Sequence, residues 1–580
     1  MKLKLLVISI ILLFPSLVWA ACSGSSPTWT CDANSTSAQM NSCIASASVG
    51  DTINVGAGTG TWSSTVTIDK GIYLIGAGKT NTTITVNGNP GIKYAPAVGA
   101  ADNPFRLSGF RFNKNAADAN QPTVQFGNSE NYPTSSGNNK LTKNRIDNNH
   151  FYTSGITSPH IWLYVGTYGV IDNNTFDSND YAFRSTEGSE WYGTNHGPGW
   201  VYWGWTPGTS DAVYIENNTF NFAASADDCL ISSQGSHRWV VRYNTVNVNS
   251  TSYSFIDAHG NGGTGAEYSS VQISNLYGNK FVAGDHSAQI HGQRGGQSFV
   301  FYNDWQTTGD TPVFKVQEEY ADSDGPGPAT NTITGQPQHV YNSFYFNNRL
   351  TTNGALLDID ITDTVGSIPA RNTDVYSHND WVSNGSAGVG CGTTLPGTCT
   401  SGKSGFWKTN QSCTNLTDYV GASPTTPISG TLYKCTATNT WTEYYTPYTY
   451  PHPLRGESAD ETAPTVTITT SSGTIYSSSS TVTGTASDAV GVSSCKWRLT
   501  SEPDANNGTS CTGTTSWSCS VTGMSSGANT VYVECGDAAD NWSTGHYITL
   551  TVTDPPTGAK ATIGSGAAVT LGSGAVGTLY

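Results

Sequence analysis

The sequence predicts an all-β chain wound as a parallel β-helix, and three observations predict it. The 580 residues include 64 Gly, 29 Tyr and 16 Trp but 3 Met, and 12% are charged, about half the ~25% of an ordinary soluble domain. Such a chain is poor in helix formers and rich in strand and turn formers. Short alternating strands (Thr52-Ile53-Asn54-Val55, Thr65-Val66-Thr67-Ile68, Tyr73-Leu74-Ile75, Thr83-Ile84-Thr85-Val86) follow one another with turns too short for crossover helices and unlike Asn-Gly hairpins. Finally, the pattern apolar-x-x-Asn-x-apolar recurs with its Asn at Asn149, Asn174, Asn218, Asn244, Asn279, Asn303 and Asn348, in steps of 25, 44, 26, 35, 24 and 45 residues. Strand-bearing repeats of this length stack into a solenoid. The apolar positions would fill a continuous column, and each buried Asn would bond the Asn of the next coil.

The elements read in order as follows. Residues 1–20 form a secretory signal: Lys2 and Lys4 are the basic start, residues 5–13 the apolar stretch, and Val18-Trp19-Ala20 the small-x-small cleavage site. Cys22 invites a lipoprotein reading, but Trp19 suits that signal poorly, so plain secretion is expected. Residues 21–50 form an N-terminal capping segment with a short amphipathic helix over 36–48, and residues 51–370 form the β-helix. From 371 to 455 the chain turns to Gly, Ser, Thr, four Cys and a run of aromatics, expected to cover the C-terminal end of the solenoid. A linker (456–462), a strand-rich domain (463–554) and a Gly/Ser/Ala-rich tail (555–580) complete the chain. The C-terminal regions are the place for surface anchoring or oligomerisation. The 12 Cys are disulfide candidates in an oxidising compartment, and none has zinc spacing.

The strings Gly50-Asp51-Thr52-Ile53-Asn54-Val55 and Gly71-Ile72-Tyr73-Leu74-Ile75-Gly76-Ala77-Gly78 resemble the N-terminal coils of right-handed parallel β-helix proteins of the pectate-lyase-like superfamily. The resemblance spans roughly residues 36 to 360 and implies that the 36–48 helix caps the open end of the column. It speaks for fold and weakly for activity, because function lives in the site. Residues 482–488 and 536–541 resemble a bacterial immunoglobulin-like sandwich.

Net charge of −16, with 26 Lys+Arg against 42 Asp+Glu, excludes the basic footprint of a nucleic-acid binder and disfavours anionic membranes. After the signal no stretch is long and apolar enough to insert in a bilayer.

Chemistry is expected where outward side chains of successive coils align in a furrow. Aligning the strand after each Asn motif by its inward residue (Phe183, Ile231, Ile256, Ile290, Phe314) turns outward Arg184 and Thr186, Ser232 and Gln234, Asp257 and His259, His291 and Gln293, Lys315 and Gln317. A one-residue slip would invert any of them. Singly, each His reads as a surface imidazole and Asp257 as a turn carboxylate. Together they resemble what β-elimination of an acidic polysaccharide needs: a cation on the uronate carboxylate, a base for the adjacent proton and an acid for the leaving oxygen. His259 or His291 would be the base, and Lys315 or Arg294 would hold the carboxylate or move a proton. Arg184, Gln234 and Gln293 would bind substrate. Asp257 with Glu318 or Glu319 could hold Ca²⁺ through oxygen ligands. Trp191, Trp200, Trp203 and Trp205 in the 188–210 insertion would stack on sugar rings or pack on their own coil.

Two rival readings follow. Asp227-Asp228-Cys229 is similar to the Asp-Asp-Cys stretch of polygalacturonase-type hydrolases, which implies Asp227 or Asp228 as acid or base. The upstream Asn-Thr-Asp and downstream Arg-Ile-Lys of that pattern are missing. A non-catalytic glycan-binding adhesin or extracellular structural protein suits the low-charge, Asn/Ser/Thr-rich composition equally.

Overall fold

A computed structural model describes residues 22–97, 100–114, 122–126, 141–153, 159–163, 167–178, 182–186, 206–222, 231–234, 238–248, 255–259, 273–283, 289–306, 313–317, 339–362, 369–455, 463–488, 492–504, 507–537 and 542–554. The chain forms two compact units, Met1–Arg455 and Gly456–Tyr580.

The first unit is a parallel β-helix of three sheets, with thirteen, ten and ten strands among the described residues. One coil runs through Leu141–Asp147 in the first sheet, His150–Thr153 in the second and Ile161–Leu163 in the third, and Thr167–Asp172 then stacks on the coil's first strand. The strands alternate, so Ile146, Ile171, Ile215, Val241, Leu276 and Val300 point inward from the first sheet and are buried in one continuous core. The inward row of the second sheet carries Phe112, Phe151, Phe176 and Phe220, whose rings stack at 5.5, 5.0 and 5.1 Å between centroids.

The asparagines sit at the turn between these sheets and form the ladder that their spacing predicts. Nδ2 of Asn149, Asn174, Asn218, Asn244, Asn279 and Asn303 donates to Oδ1 of the next one at 3.2, 3.1, 3.1, 3.0, 3.0 and 2.8 Å. The same Oδ1 accepts the backbone N–H of the preceding rung, for example Asn218 N to Asn244 Oδ1 at 2.8 Å. The residue before each rung has positive φ, 55° at Asn148 and 58° at Asn217, which Asn tolerates better than most side chains. At Gly278 (φ 68°) a Cβ would also strike the Tyr243 ring at 2.7 Å, so glycine is required there.

Helix α1 (Ser37–Ser46) starts with a capping box between Thr36 and Gln39 and buries Met40, Cys43 and Ile44 in the core that contains Val66 and Ile68. A hairpin of Cys22–Ser25 and Thr28–Cys31 adds to the edge of the first sheet and is tied by the Cys22–Cys31 disulfide.

The segment 371–455 is placed differently from the expectation. Its four-stranded sheet (Gly388–Gly392, Ser404–Lys408, Thr431–Ala437, Thr440–Tyr445) lies along the outer face of the first sheet instead of only covering the end of the solenoid. The reason is aromatic. That outer face carries Tyr214, Tyr277, Phe299, Phe301, Phe344 and Phe346, an apolar surface that must be covered. Phe299 stacks on Tyr445 at 4.1 Å and Phe301 packs on Trp407 at 5.1 Å. Disulfides Cys391–Cys413 and Cys399–Cys435 brace this sheet.

The second unit is a two-sheet β-sandwich. Thr465–Ile468, Ser480–Ser487 and Ser516–Val521 form one sheet, and Gly473–Ile475, Tyr547–Val552, Gly527–Asp537, Val492–Arg498 and Thr509–Ser510 the other. Cys495–Cys535 joins neighbouring strands of one sheet, and Cys511–Cys519 is the other bridge. Five disulfides fit an oxidising compartment. Among the described residues no helix is long and apolar enough to cross a membrane.

Candidate functional site

The third sheet presents its outward residues as one row. In register from coil to coil these are Thr67, Lys93, Gln125, Trp162, Arg184, Ser232, Asp257, Gly292, Lys315 and Asp360. Strands that pair in parallel stand ~4.8 Å apart, so neighbours in the row are one sugar-scale step apart. Arg294, beside the row, brings Nε to 3.6 Å from Asp257 Oδ1, and both side chains are partly exposed, 24% and 15%. Counting Arg294, the described side chains of the row give three cations (Lys93, Arg294, Lys315) and two carboxylates (Asp257, Asp360). In a chain of net charge −16 this inverts the local sign. Trp162, half-buried between inward Ile161 and Leu163, adds an aromatic side chain to the row. The sequence reading missed it, although the same alternation that found Arg184 identifies it.

The structure corrects two members of the sequence-predicted site. His291 and Gln293 do not face the furrow. A bulge between Gln289 and His291 adds one residue, so that His291, not Ile290, pairs with Ile256 and Phe314. Ile290 and His291 are both fully buried. Ser274 Oγ lies 2.9 Å from His291 Nε2, and burial pushes the imidazole down to about 4, so it is neutral at physiological pH. Gln293 is buried too, donating to Ser343 Oγ at 2.9 Å and accepting from Tyr345 Oη at 2.8 Å. A neutral, hydrogen-bonded imidazole can be buried at little cost, which allows His291 its inward place.

Asp257, Arg294 and Lys315 do share the outer face. His259 ends the strand Ile256–His259 and pairs in register with Gln234. Arg184 pairs with Ser232. Beyond this backbone placement, the side chains of Arg184, Gln234 and His259 lie outside the description. Trp191, Trp200, Trp203, Trp205, Asp227, Asp228, Glu318 and Glu319 fall outside the described residues. For Ca²⁺, the described residues offer the Asp257 carboxylate, already facing a guanidinium. The other two residues of the expected Ca²⁺ set, Glu318 and Glu319, lie outside the described residues. The one cluster of metal-capable groups among the described residues is Cys22, Cys31 and Cys43, two of which are joined as a disulfide.

The outer face of the second sheet carries a dyad that the sequence reading did not single out. His150 Nε2 meets Asp177 Oδ2 at 2.7 Å, and Arg111 Nη1 approaches His150 Nδ1 at 3.3 Å. Asn221 binds the other Asp177 oxygen at 2.6 Å and receives Asn247 at 2.7 Å. The bond from His150 holds the Asp177 carboxyl below its ordinary value. Both ring nitrogens of His150 are engaged, so this row orders the surface and offers no vacant base.

The first sheet carries a buried ionic row that the sequence reading also missed. Asp147, Asp172, Glu216 and Arg242 stand two residues before successive ladder asparagines. Arg106, Arg145 and Arg455 complete it: Arg106–Asp147 at 2.6 Å, Arg145–Asp172 at 2.8 Å, Arg455–Asp172 at 3.4 Å, Arg455–Glu216 at 3.2 Å and Arg242–Glu216 at 2.6 Å. Burial opposes the Glu216 charge, but Arg242, the His452 N–H and Arg455 together hold its carboxyl below its ordinary range. The signal was present in the charged residue two before each Asn.

No protein-family model matches the chain. No curated protein matches it either. Among solved structures, fibronectin(III)-like modules of Clostridium thermocellum CbhA are similar at 15% identity and a TM-score of 0.14, over 22% of this chain and 63% of that one. The chain thus spans less than two thirds of that structure, and the likeness carries no argument about fold or activity.

Proposed function

We propose that the protein is a secreted polysaccharide lyase of the pectate-lyase-like kind, cleaving an acidic polysaccharide by β-elimination along the outer face of the third sheet. One observation carries the reading: an in-register row whose partly exposed members include three cations, two carboxylates and Trp162, on one face of a strongly acidic chain. A uronate polymer is itself a row of carboxylates at regular spacing, and the cations of two adjacent coils, Arg294 and Lys315, complement it. Arg294 and Lys315 would neutralise the carboxylate of the reacting uronate, which acidifies the carbon-bound proton next to it. His259 is the proposed base for that proton. The electron pair then forms the ring double bond and expels the glycosidic oxygen, which takes a proton from Lys315 or water. No step is assigned to a metal. The signal segment 1–20 and the disulfides support export.

Incubation with pectate, alginate and chondroitin, followed by ultraviolet absorbance of the unsaturated product, tests the proposal. Reducing ends without ultraviolet gain would mean hydrolysis. Binding without turnover on every polymer would mean a glycan-binding structural protein.

A further inference from the structure

The Cys-rich segment, with Tyr243 of the solenoid, lines an open cleft of about 490 Å³, within the ~300–1,000 Å³ of small-molecule sites. It opens beside the first sheet, not the third. Ile428 and the Tyr243 ring form its apolar part, Tyr448 and Tyr450 stand as half-buried walls, and Lys408 and Asn410 are exposed at its rim.

Its walls are fixed before any ligand arrives. Arg242 donates to the carbonyls of Tyr448 and Thr449 at 2.6 and 2.8 Å, and Tyr450 Oη donates to Asn217 Oδ1 at 2.7 Å. Ile428 N donates to Tyr243 Oη at 3.0 Å. Gln411 is held at both ends of its amide, donating to Pro427 O at 2.7 Å and accepting from Ser429 N at 2.8 Å. The Tyr448 ring packs on Tyr214 at 5.2 Å and the Tyr450 ring on Tyr243 at 4.2 Å, so the walls cannot fold over to close the space, which is what a preorganised site requires.

The lining chemistry is selective. It contains one cation, Lys408, and no carboxylate. The nearby Glu443 is occupied by the Tyr433 hydroxyl at 2.8 Å. Tyrosine rings offer flat apolar faces with polar edges, and Thr and Asn groups at the rim offer hydrogen bonds. A ligand with an apolar ring face, several hydroxyls and one negative charge satisfies all of these.

We propose that this cleft is a second, non-catalytic binding site for an acidic sugar unit, with the carboxylate at Lys408 and the ring face against Tyr448. The chemical class comes from this lining. That the unit belongs to the same polymer as the one cleaved rests on the proposed lyase function. Such a site would hold the protein to its polymer independently of turnover.

The test is isothermal titration of the full chain with trigalacturonate, and with maltotriose as the neutral control. Three proteins are compared: the wild type, Lys408→Glu, and a furrow variant carrying Arg294→Ala and Lys315→Ala. Lys408 is an exposed rim residue, so its reversal leaves the fold intact. The expected result is trigalacturonate binding that falls at least tenfold in Lys408→Glu, persists in the furrow variant and is absent for maltotriose. No binding, equal binding of maltotriose, or binding lost only in the furrow variant would overturn the site. Ultraviolet turnover is measured on the same three proteins. Binding at the cleft without turnover would leave the site standing and remove the lyase reading. Turnover without Lys408-dependent binding would do the reverse.

Discussion

The Arg242 guanidinium meets the Glu216 carboxylate at 2.6 Å, and neither side chain has any solvent exposure. The other face of this pair is the segment 448–455. Arg242 holds the carbonyls of Tyr448 and Thr449, while Glu216 holds the His452 N–H at 2.9 Å and Arg455. A buried pair offsets its own desolvation only when all its hydrogen bonds are made, and removing one member strands the other. Glu216→Gln should therefore destabilise the first unit by about 3–5 kcal/mol. Glu216→Gln with Arg242→Gln should cost clearly less than the sum of the two single changes. Chemical denaturation of the four proteins measures both quantities. Single changes costing under about 1 kcal/mol would mean that the aromatic contacts alone hold the segment.

The ladder makes a second prediction. Asn244 Nδ2 donates to Ile215 O, Arg242 O and Asn279 Oδ1 at 2.9–3.0 Å, and its Oδ1 accepts from Asn218 N and Nδ2. Alanine leaves these buried groups without partners, at roughly 1–3 kcal/mol each before relaxation. Asn244→Ala should lower the unfolding free energy by about 3–5 kcal/mol. Asn244→Asp should be at least as costly, because it loses the donors and buries a charge. A thermal shift no larger than that of an exposed Asn384→Ala would show that the ladder is dispensable.

Acid should destabilise the first unit more than its carboxylates alone explain. His160, His291 and His452 are buried neutral, and burial pushes each from the ordinary 6.5 down to about 4. A histidine with a depressed folded value contributes stability above pH 6.5, lost as pH falls towards 4, because the unfolded chain takes up the proton first. Each is worth on the order of 3 kcal/mol over that window. Asp172 works the other way. Burial, against Arg145, raises it to about 6, so its share of stability rises as pH falls from 6 towards 4. His378 is likewise pushed down to about 4 by burial, and burial raises Asp304 as it raises Asp172, so four imidazoles against two carboxylates leave a net loss. Melting curves at pH 7, 5.5 and 4.5 should show it, and His291→Gln should flatten the slope.

How much of this was legible depended on range. The Asn ladder could be read because Asn149 through Asn348 hold a constant phase to their apolar flanks, which is local information. The outward assignment of Asp257 and Lys315 could be read because a pleat has period two. The same rule failed at His291, since a bulge adds one residue and nothing in Gln289-Ile290-His291 announces it. The docking of residues 371–455 was not legible. Phe301 meets Trp407 across more than a hundred residues, and no local pattern encodes that pairing. The charges at Asp172, Glu216 and Arg242 were visible but not singled out, because their cover comes from the far end of the unit.

The last prediction separates the furrow from the core beneath it. His291 and Arg294 are three residues apart, yet one is fully buried and the other is 24% exposed beside Asp257. His291→Ala would open a cavity and strand the Ser274 hydroxyl, so it should cost about 1–3 kcal/mol of stability. In whatever fraction folds, kcat/KM on an acidic polymer should change less than threefold. Arg294→Ala and Lys315→Ala remove partly exposed side chains and should shift the melting temperature little. Each should lower kcat/KM by roughly 10²–10³, the usual effect of deleting one group that stabilises developing negative charge. The effect should fall on acidic polymers and grow weaker at high salt, since exposed charges are screened. Circular dichroism and a melting curve on each variant separate loss of fold from loss of chemistry. A well-folded His291→Ala protein without activity would return that imidazole to the reaction and undo the register assigned to the third sheet. A fully active Arg294→Ala, Lys315→Ala protein would move the reaction off this face.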